Sequence, residues 1–394
     1  MPSPLEGRRL WIAGIGGAGM SAYASLARSW GAEVRGWDRV STPYLDGLEG
    51  IAVEISDEPP DPPDGFESYV STAFSGRVPG KPRADLLSEL VALRDSIVVA
   101  GAHGKTTTSG MIAFCLERLG LDPAWLIGAE IPQLGSNAGT GAGWLVVEGD
   151  ESDRTVAALR PRIGVVTNVD LDHHTTFGSR AEVAALFEDW LAKVPEVVRG
   201  EELEPYDGTL ALAGEHNRRN AAAALAALEL AGVQRSDAAN VLAAFRGAAR
   251  RLELRGEAVG VEVYDDYAHH PAEVTATIEA LGRDDGRLLV LFQPHLFSRT
   301  RYLARDFARA LADADVVAVT DIYPAREQPL AGVTGKLVVD ALVERRPGMP
   351  VAWMPSLDEG GAFLAGRARP GDRVVTVGAG DVERAAAIVL ESLR

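Results

Sequence analysis

Apolar, β-branched runs closed by glycine turns and followed by helical patterns recur along the chain and divide it into three strand-and-helix stretches. The first opens with Arg9-Leu-Trp-Ile-Ala13, which predicts a buried strand, then Gly14-Ile-Gly-Gly-Ala-Gly-Met20 and a helical pattern over 21–30. A second strand is predicted to end in Val34-Arg-Gly-Trp-Asp38, and Val70-Ser-Thr-Ala73 reads as the end of another. Between them Pro59-Pro-Asp-Pro-Pro-Asp64 is a loop. The second stretch starts at Ile97, has strands predicted over 144–147 and 163–167, and closes with an alanine-rich helix over 221–230 introduced by Gly214-Glu-His-Asn-Arg-Arg-Asn220. The third begins near Arg255, with strands predicted over 261–264, 288–292, 316–320, 351–354 and 374–377. Strands alternating with helices imply parallel, doubly wound sheets, and 394 residues imply two or three domains.

Composition narrows the class. Hydrophobic residues make up 46% and charged residues 24%, as in a soluble globular protein. No apolar run approaches the ~20 residues that span a bilayer, and the first residues lead into a strand without a signal-peptide pattern. The single cysteine, Cys115, lies in an apolar helical pattern, as expected of a buried thiol in a reducing compartment, so the expected location is cytoplasmic. A net charge of −17 disfavours nucleic acid or a membrane surface as partner. It leaves room for an anionic small molecule at a site that gathers its own cations and glycines. All seven histidines fall inside compact polar motifs.

The strongest chemical signal is Ile97-Val-Val-Ala-Gly-Ala-His-Gly-Lys-Thr-Thr-Thr-Ser109. A strand, a glycine turn, a lysine and a hydroxyl-rich helix start direct backbone N–H groups, a helix N-terminus and an ammonium to one place, which suits a polyphosphate. Lys105 is placed to reach the β/γ-phosphates, and Thr106 or Thr107 to hold Mg²⁺. The full P-loop pattern has glycine where Val99 stands, so the loop is shortened to Gly101-x-x-Gly104-Lys105-Thr106. Glu148-Gly-Asp-Glu-Ser-Asp153 follows the next apolar strand. A solvated acidic loop would explain it alone, but a phosphate loop needs a metal opposite it, and Mg²⁺ takes carboxylate oxygens. One strand on, His173 and His174 offer a ligand nitrogen or a means of orienting water. In Tyr264-Asp-Asp-Tyr-Ala-His-His-Pro-Ala-Glu273, Asp265 or Asp266 with His269 is placed to steer or deprotonate an amine. His295, Arg299 and Arg301 follow a later strand, and arginine suits phosphate or carboxylate.

Taken in order, these pieces resemble the Mur ligase family, and most closely its branch that joins L-alanine to UDP-N-acetylmuramate. The resemblance rests on Gly14-Ile-Gly-Gly-Ala-Gly-Met-Ser21, Gly101-Ala-His-Gly-Lys-Thr-Thr-Thr108, Glu148-Gly-Asp-Glu-Ser-Asp153, Thr167-Asn-Val-Asp-Leu-Asp-His173, Gly214-Glu-His-Asn-Arg-Arg-Asn220, Asp265-Asp-Tyr-Ala-His-His-Pro271, Phe292-Gln-Pro-His295 and Gly378-Ala-Gly-Asp381. It implies an α/β chain of three domains: a Rossmann-like UDP-sugar domain over 1–96, a P-loop ATPase domain over 97–253, and a Rossmann-like ligase domain over 254–394 that brings the amino acid. It implies ATP and Mg²⁺ as cofactors, and a monomer or weak homodimer that binds no nucleic acid and inserts in no membrane. Gly101, His103, Gly104, Lys105, Thr106 and Thr107 are implied at the ATP phosphates, Asn217 and Asn220 near adenine, and Arg251 near the phosphates. Thr106, Glu148 and His173 are implied at magnesium. Lys105, His173, Asp266 and His269 are the catalytic candidates. Gly14, Gly16, Gly17, Gly19, Met20, Ser21 and Asp38 would hold the uridine diphosphate end, while His295 and Arg299, with His269, would face the muramoyl part.

Two departures stand out. Ala102 replaces the family's usual threonine, which backbone N–H groups should make tolerable. Between His174 and Gly214 there is room for one helix over 181–191 and a short strand over 209–213, joined by the loop 199–208, where the family carries a longer β-rich stretch. The central domain is therefore expected to be trimmed. The alternative readings are a recycling branch that joins a whole peptide to the same sugar acid, a dinucleotide-dependent oxidoreductase and a non-catalytic sugar-nucleotide binder. The first usually has tyrosine where Ser152 stands, the second leaves the Lys105 loop unexplained, and intact Lys105, Glu148 and His173 speak against the third.

Overall fold

The computed structural model describes residues 3–171, 176–282, 286–325 and 327–394. Its strands form three sheets. The first contains β1 (Arg9–Ala13), β2 (Glu33–Asp38), β3 (Ala52–Ile55), β4 (Glu67–Val70) and β5 (Lys81–Pro82), with α1 (Ala18–Ser29) and α2 (Arg83–Ala92) packed on it. Its order β3-β2-β1-β4-β5 is parallel throughout, so the chain reverses direction across the sheet between β1 and β4. The crevice at the carboxyl ends of strands beside such a reversal is where ligands collect, and the glycine turn after β1 lies there.

The central sheet contains β6 (Ser96–Ala100), β7 (Ala124–Ile131), β8 (Ser136–Thr140), β9 (Leu145–Glu148), β10 (Ile163–Val166) and β11 (Glu196–Arg199), in the order β11-β10-β6-β9-β7-β8. All of these pair in parallel except the antiparallel hairpin β7–β8. α3 (Lys105–Arg118), α4 (Arg180–Leu191), α5 (Glu215–Leu230) and α6 (Arg235–Leu242) accompany it. Because β6 lies between β9 and β10, the phosphate loop at its end is flanked by the acidic motif on one side and Thr167-Asn168 on the other.

The third sheet contains β12 (Glu253–Ala258), β13 (Val261–Asp266), β14 (Leu288–Phe292), β15 (Val316–Val319), β16 (Val351–Trp353) and β17 (Arg373–Val377), in the order β12-β13-β17-β14-β15-β16. Only β12 is antiparallel among the described strands of this sheet. α7 (Pro271–Leu281), α8 (Phe297–Leu311) and α9 (Lys336–Arg345) cover one face, and α10 (Leu357–Ala365) and α11 (Glu383–Ser392) the other. The alternation is visible within β14. Leu288, Val290 and Phe292 enter the first layer and Leu289 and Leu291 the second, so a continuous apolar run is what a doubly covered strand requires.

The chain divides into two compact units, one of Met1–Ala211 with Asn217–Arg246 and one of Leu212–His216 with Gly247–Arg394. The first contains the first two sheets on a shared apolar core, in which Leu10 and Leu26 join Val98, Leu126 and Val147. Among the described residues, no helix is long and apolar enough to cross a membrane.

The predicted strand over 209–213 does not form. No residue of that run is buried and it finds no ladder partner, while the sheet edge is taken by β11, the short run Glu196-Val-Val-Arg199 that ends where the predicted loop begins. The 181–191 helix is present as α4, capped by the Ser179 hydroxyl accepting the Glu182 N–H. Glu215 to Asn220 of the alanine-rich helix's introducing motif are already helical.

Candidate active site

The phosphate loop is built by strand pairing and two glycines. β6 is wholly buried and delivers the chain to Gly101 at its carboxyl end. Gly104, the N-cap of α3, has φ 78°, a left-handed conformation that residues with a Cβ rarely adopt, and a Cβ there would collide with the Asn220 amide. No side chain caps α3, so its first N–H groups point out of the turn. The neighbouring strand holds the loop from behind. Thr167 Oγ1 donates to the His103 carbonyl at 2.6 Å, Asn168 Nδ2 donates to the same oxygen at 2.8 Å, and the His103 N–H donates to Asn168 Oδ1 at 3.0 Å.

The cation and the acids meet at this turn. Lys105 Nζ donates to the Gly101 carbonyl at 2.6 Å and to Glu151 Oε1 at 3.0 Å, and Glu151 is 2% exposed. Burial alone would lower the Lys105 pKa, but Glu151 and Glu148 outweigh it and the net shift is upward, so the ammonium stays charged. Thr106 Oγ1 donates to Glu148 Oε2 at 2.9 Å, and the Gly128 N–H donates to the same oxygen at 2.8 Å. Hydroxyl and carboxylate oxygens side by side at a phosphate loop are the hard donors Mg²⁺ takes, so these residues fit the metal. His173, the third implied ligand, lies outside the described residues, as does His174.

At the end of β1, the Gly16 N–H donates to Asp38 Oδ2 at 2.8 Å and Thr42 Oγ1 to the Gly16 carbonyl at 2.7 Å. Asp38, 7% exposed, therefore braces the glycine turn. A Cβ on Gly14, at φ 79°, would collide with Ser71. Gly17 caps α1 without a side chain, leaving N–H groups for an anion, and Gly19, Met20 and the buried Ser21 lie in the first turn. Arg83 of α2 pairs with Asp153 at 2.9 Å and its Nη1 lies 3.8 Å from where a Gly19 Cβ would stand, so one guanidinium links this turn to the acidic motif.

The second unit gathers its own cluster at the carboxyl ends of β13 and β14. The rings of His269 and His295 are 5.8 Å apart, His295 stacks on Tyr323 at 5.8 Å, and Arg299 Nη1 lies 3.4 Å from His295 Nδ1. His269 Nδ1 is 3.0 Å from the Tyr267 carbonyl. Asp266, the last residue of β13, is 5% exposed. Its Oδ2 accepts the Leu252 N–H at 2.7 Å, and its Oδ1 the Ala268 N–H at 2.8 Å and the Thr277 hydroxyl at 3.0 Å. Burial pushes its carboxyl up to about 6. Arg251 Nη1 stands 3.5 Å from Glu273 Oε1.

Residues 99–198 match the Mur ligase middle domain and 250–380 the Mur ligase glutamate ligase domain. The UDP-N-acetylmuramate–L-alanine ligase of Streptomyces avermitilis is 37% identical, over 96% of each chain. The chain belongs to the Mur ligase family. Among solved structures, the UDP-N-acetylmuramate–alanine ligase of Thermotoga maritima superposes with TM-score 0.76 at 24% identity, covering 97% of this chain and 98% of its own. The MurF ligase of the same organism, solved with ADP, gives 0.61 at 16% identity, covering 100% and 99%. The three-sheet architecture is that of the Mur ligase fold. The alignment with the Streptomyces enzyme runs over 448 positions, longer than this chain, so that relative carries residues absent here.

Within this Mur ligase the structure brings together Gly101, Gly104, Lys105, Thr106 and Glu148, and separately His269, His295 and Arg299. Thr107 is buried under the loop, and the His103 ring lies 3.6 Å from Asp170. Asn217 and Asn220 sit one turn apart on α5, with Asn220 against Gly104. Sequence reasoning placed Glu151 only among the acids offered to a metal and missed its pairing with Lys105, and it gave no role to Thr167, Asn168, Arg83, Gly128 or Tyr323. Thr167 and Asn168 lie inside a quoted motif. Arg83 opens a helix after Pro82, and nothing in the pattern around Gly128 or Tyr323 marks them.

Proposed function

We propose that this Mur ligase forms the amide between the lactyl carboxylate of UDP-N-acetylmuramate and the amine of L-alanine, converting ATP to ADP and phosphate. The observation that carries the reading is the cluster of Lys105, Thr106 and Glu148 at the uncapped start of α3, in a chain 37% identical to an enzyme of that name. The carboxylate attacks the γ-phosphorus, giving an acyl phosphate and ADP. The amine then adds to the acyl carbon, phosphate leaves, and the nitrogen loses a proton. Lys105 and the N–H groups of α3 stabilise charge on the transferring phosphoryl group. Mg²⁺, held by Thr106 and Glu148 with His173, would neutralise phosphate oxygens when bound. The turn after β1 takes the uridine diphosphate, while His269, His295 and Arg299 face the muramoyl group and Arg251 the ATP phosphates. We keep the division 1–96, 97–253 and 254–394 as the functional domains, and the cytoplasm as the compartment that holds these nucleotide substrates.

Ser152 favours free L-alanine over a peptide as acceptor. The test is phosphate release by the purified chain, expected only with ATP, the UDP-sugar acid and L-alanine together. Lys105→Ala should abolish release yet bind UDP-N-acetylmuramate as the wild type does. Release indifferent to the sugar, or equal rates with a tripeptide, overturns the reading.

A further inference from the structure

Two adjacent arginines lead into the third sheet, and the reading above uses only Arg251. Arg250 turns its guanidinium into the protein. Its Nε donates to Asp265 Oδ2 at 2.8 Å, Nη1 to the Gly380 carbonyl at 2.9 Å, and Nη2 to the Gly378 carbonyl at 2.8 Å. Nη1 also lies 3.1 Å from Glu383 Oε2. Asp265 is fully buried, and its second oxygen accepts the Thr376 hydroxyl at 2.6 Å. The main chain of Arg250 is tied as well, its carbonyl accepting the Tyr267 N–H at 2.7 Å and its own N–H donating to Glu253 at 2.8 Å.

The local backbone explains the need for such anchoring. Arg250 has φ 58° and Leu252 φ 49°, the left-handed region that residues with a Cβ occupy only when their surroundings impose it. Arg251 stands between them. Asp265 holds the first through the Arg250 side chain, and Asp266 holds the second through the Leu252 N–H at 2.7 Å. The Gly378-Ala-Gly-Asp381 turn that receives the guanidinium is itself packed tightly. A Cβ on Gly378 would stand 2.7 Å from the Gln293 carbonyl, and Gln293 Nε2 donates to Asp381 Oδ1 at 2.9 Å.

We propose that Arg250 is the positioning residue for Arg251. By bridging a buried carboxylate and two carbonyls of the Gly378–Asp381 turn, it fixes the strained three-residue turn from which Arg251 projects. This gives a role to the glycine turn at the end of β17, which the proposed function leaves without one. A planar fork with donors in fixed directions makes this bridge, whereas a lysine ammonium is a single point of contact. The proposal rests on the reading of Arg251 as a group for the ATP phosphates, and its test separates the two.

The test is a double-mutant cycle of Arg250→Lys and Arg251→Ala in the full chain, with ATP varied at saturating UDP-N-acetylmuramate and L-alanine. Arg251→Ala should raise KM for ATP at least about tenfold. Arg250→Lys should raise it roughly five- to tenfold, leave KM for L-alanine unchanged, and add nothing in the Arg251→Ala background. Effects that multiply, or an unchanged KM for ATP in Arg250→Lys, overturn the positioning role. An Arg251→Ala chain with wild-type ATP kinetics overturns the reading of Arg251 and the proposal with it. Should Arg250→Lys not fold, Asp265→Asn loosens the same clamp from its other end and must move KM for ATP in the same direction, again only when Arg251 is present.

Discussion

Two partly or fully buried titratable side chains of the second unit are shifted in opposite directions, and the signs make a pH prediction. Burial, helped by Arg251, lowers His216 to about 4. Burial raises Asp266 to about 6. A histidine whose folded pKa is depressed gives stability that is complete above its unfolded value near 6.5 and is lost as pH falls toward 4, because the unfolded chain binds the proton first. A carboxyl whose folded pKa is raised acts the other way. It favours folding at low pH, and that contribution is lost as pH rises from about 4 to about 6. Each shift corresponds to roughly 3 kcal/mol over its whole range, about 2 kcal/mol of it within two pH units. Relative to His216→Gln, the wild type should therefore lose about that much between pH 6.5 and 4.5. Relative to Asp266→Asn it should gain over pH 6 to 4. Urea unfolding of the three proteins at several pH values measures both differences, and a pH-independent gap between wild type and His216→Gln would show that the imidazole is not held neutral. Cys115, pushed up to about 12 by burial, stays a thiol throughout this range.

Strands between two helical layers announce themselves in the sequence, and strands at edges do not. β14 and the last four residues of β1 fall where their apolar runs predict, because each is buried on both faces and such positions must be apolar. The β7–β8 hairpin and β12 escape such reading. Ser136-Asn-Ala-Gly-Thr140 is a strand only because β7 pairs with it, and Glu253-Leu-Arg-Gly-Glu-Ala258 is an edge with mostly exposed side chains. The same holds for the site. Lys105 and Glu148 were legible from spacing, whereas the N–H that steadies Glu148 comes from Gly128, where the β7 ladder shifts register between Leu126 and Ile131. A Cβ on Gly128 would stand 2.8 Å from Glu148 Oε2. Gly128→Ala is thus expected to displace that carboxylate, lowering kcat about tenfold or more and raising the Mg²⁺ concentration needed for half-maximal rate, about 1.4 kcal/mol per factor of ten. Unfolding should be nearly unchanged at this exposed position. Steady-state kinetics over a magnesium titration decides it, and wild-type behaviour would place the metal elsewhere.

At the scale of the whole molecule, a trimmed chain still carries two self-sufficient sets of cores. One joins the first two sheets through Leu10, Leu26, Val98 and Val147, and the other lies on the two faces of the third sheet, around Phe307 and Val389. Separate cores unfold as separate cooperative units, so calorimetry should resolve two transitions. Lys105, Thr106, Glu148, Asn217 and Asn220 all belong to the first unit, and Arg251 to the second. A ligand that binds only the folded form stabilises it by about 2.7 kcal/mol at a hundred times Kd, and a unit of 150–250 residues moves by roughly 2–4 °C per kcal/mol. ADP with magnesium at that excess should therefore raise the transition of the first unit by roughly 5–10 °C. The second should move much less, since Arg251 is its one residue read toward the phosphates. Limited proteolysis during the scan tells which transition belongs to which unit. If the second transition rises as far as the first, or further, the nucleotide does not sit at the Lys105 loop alone and the assignment of ATP to the first unit fails.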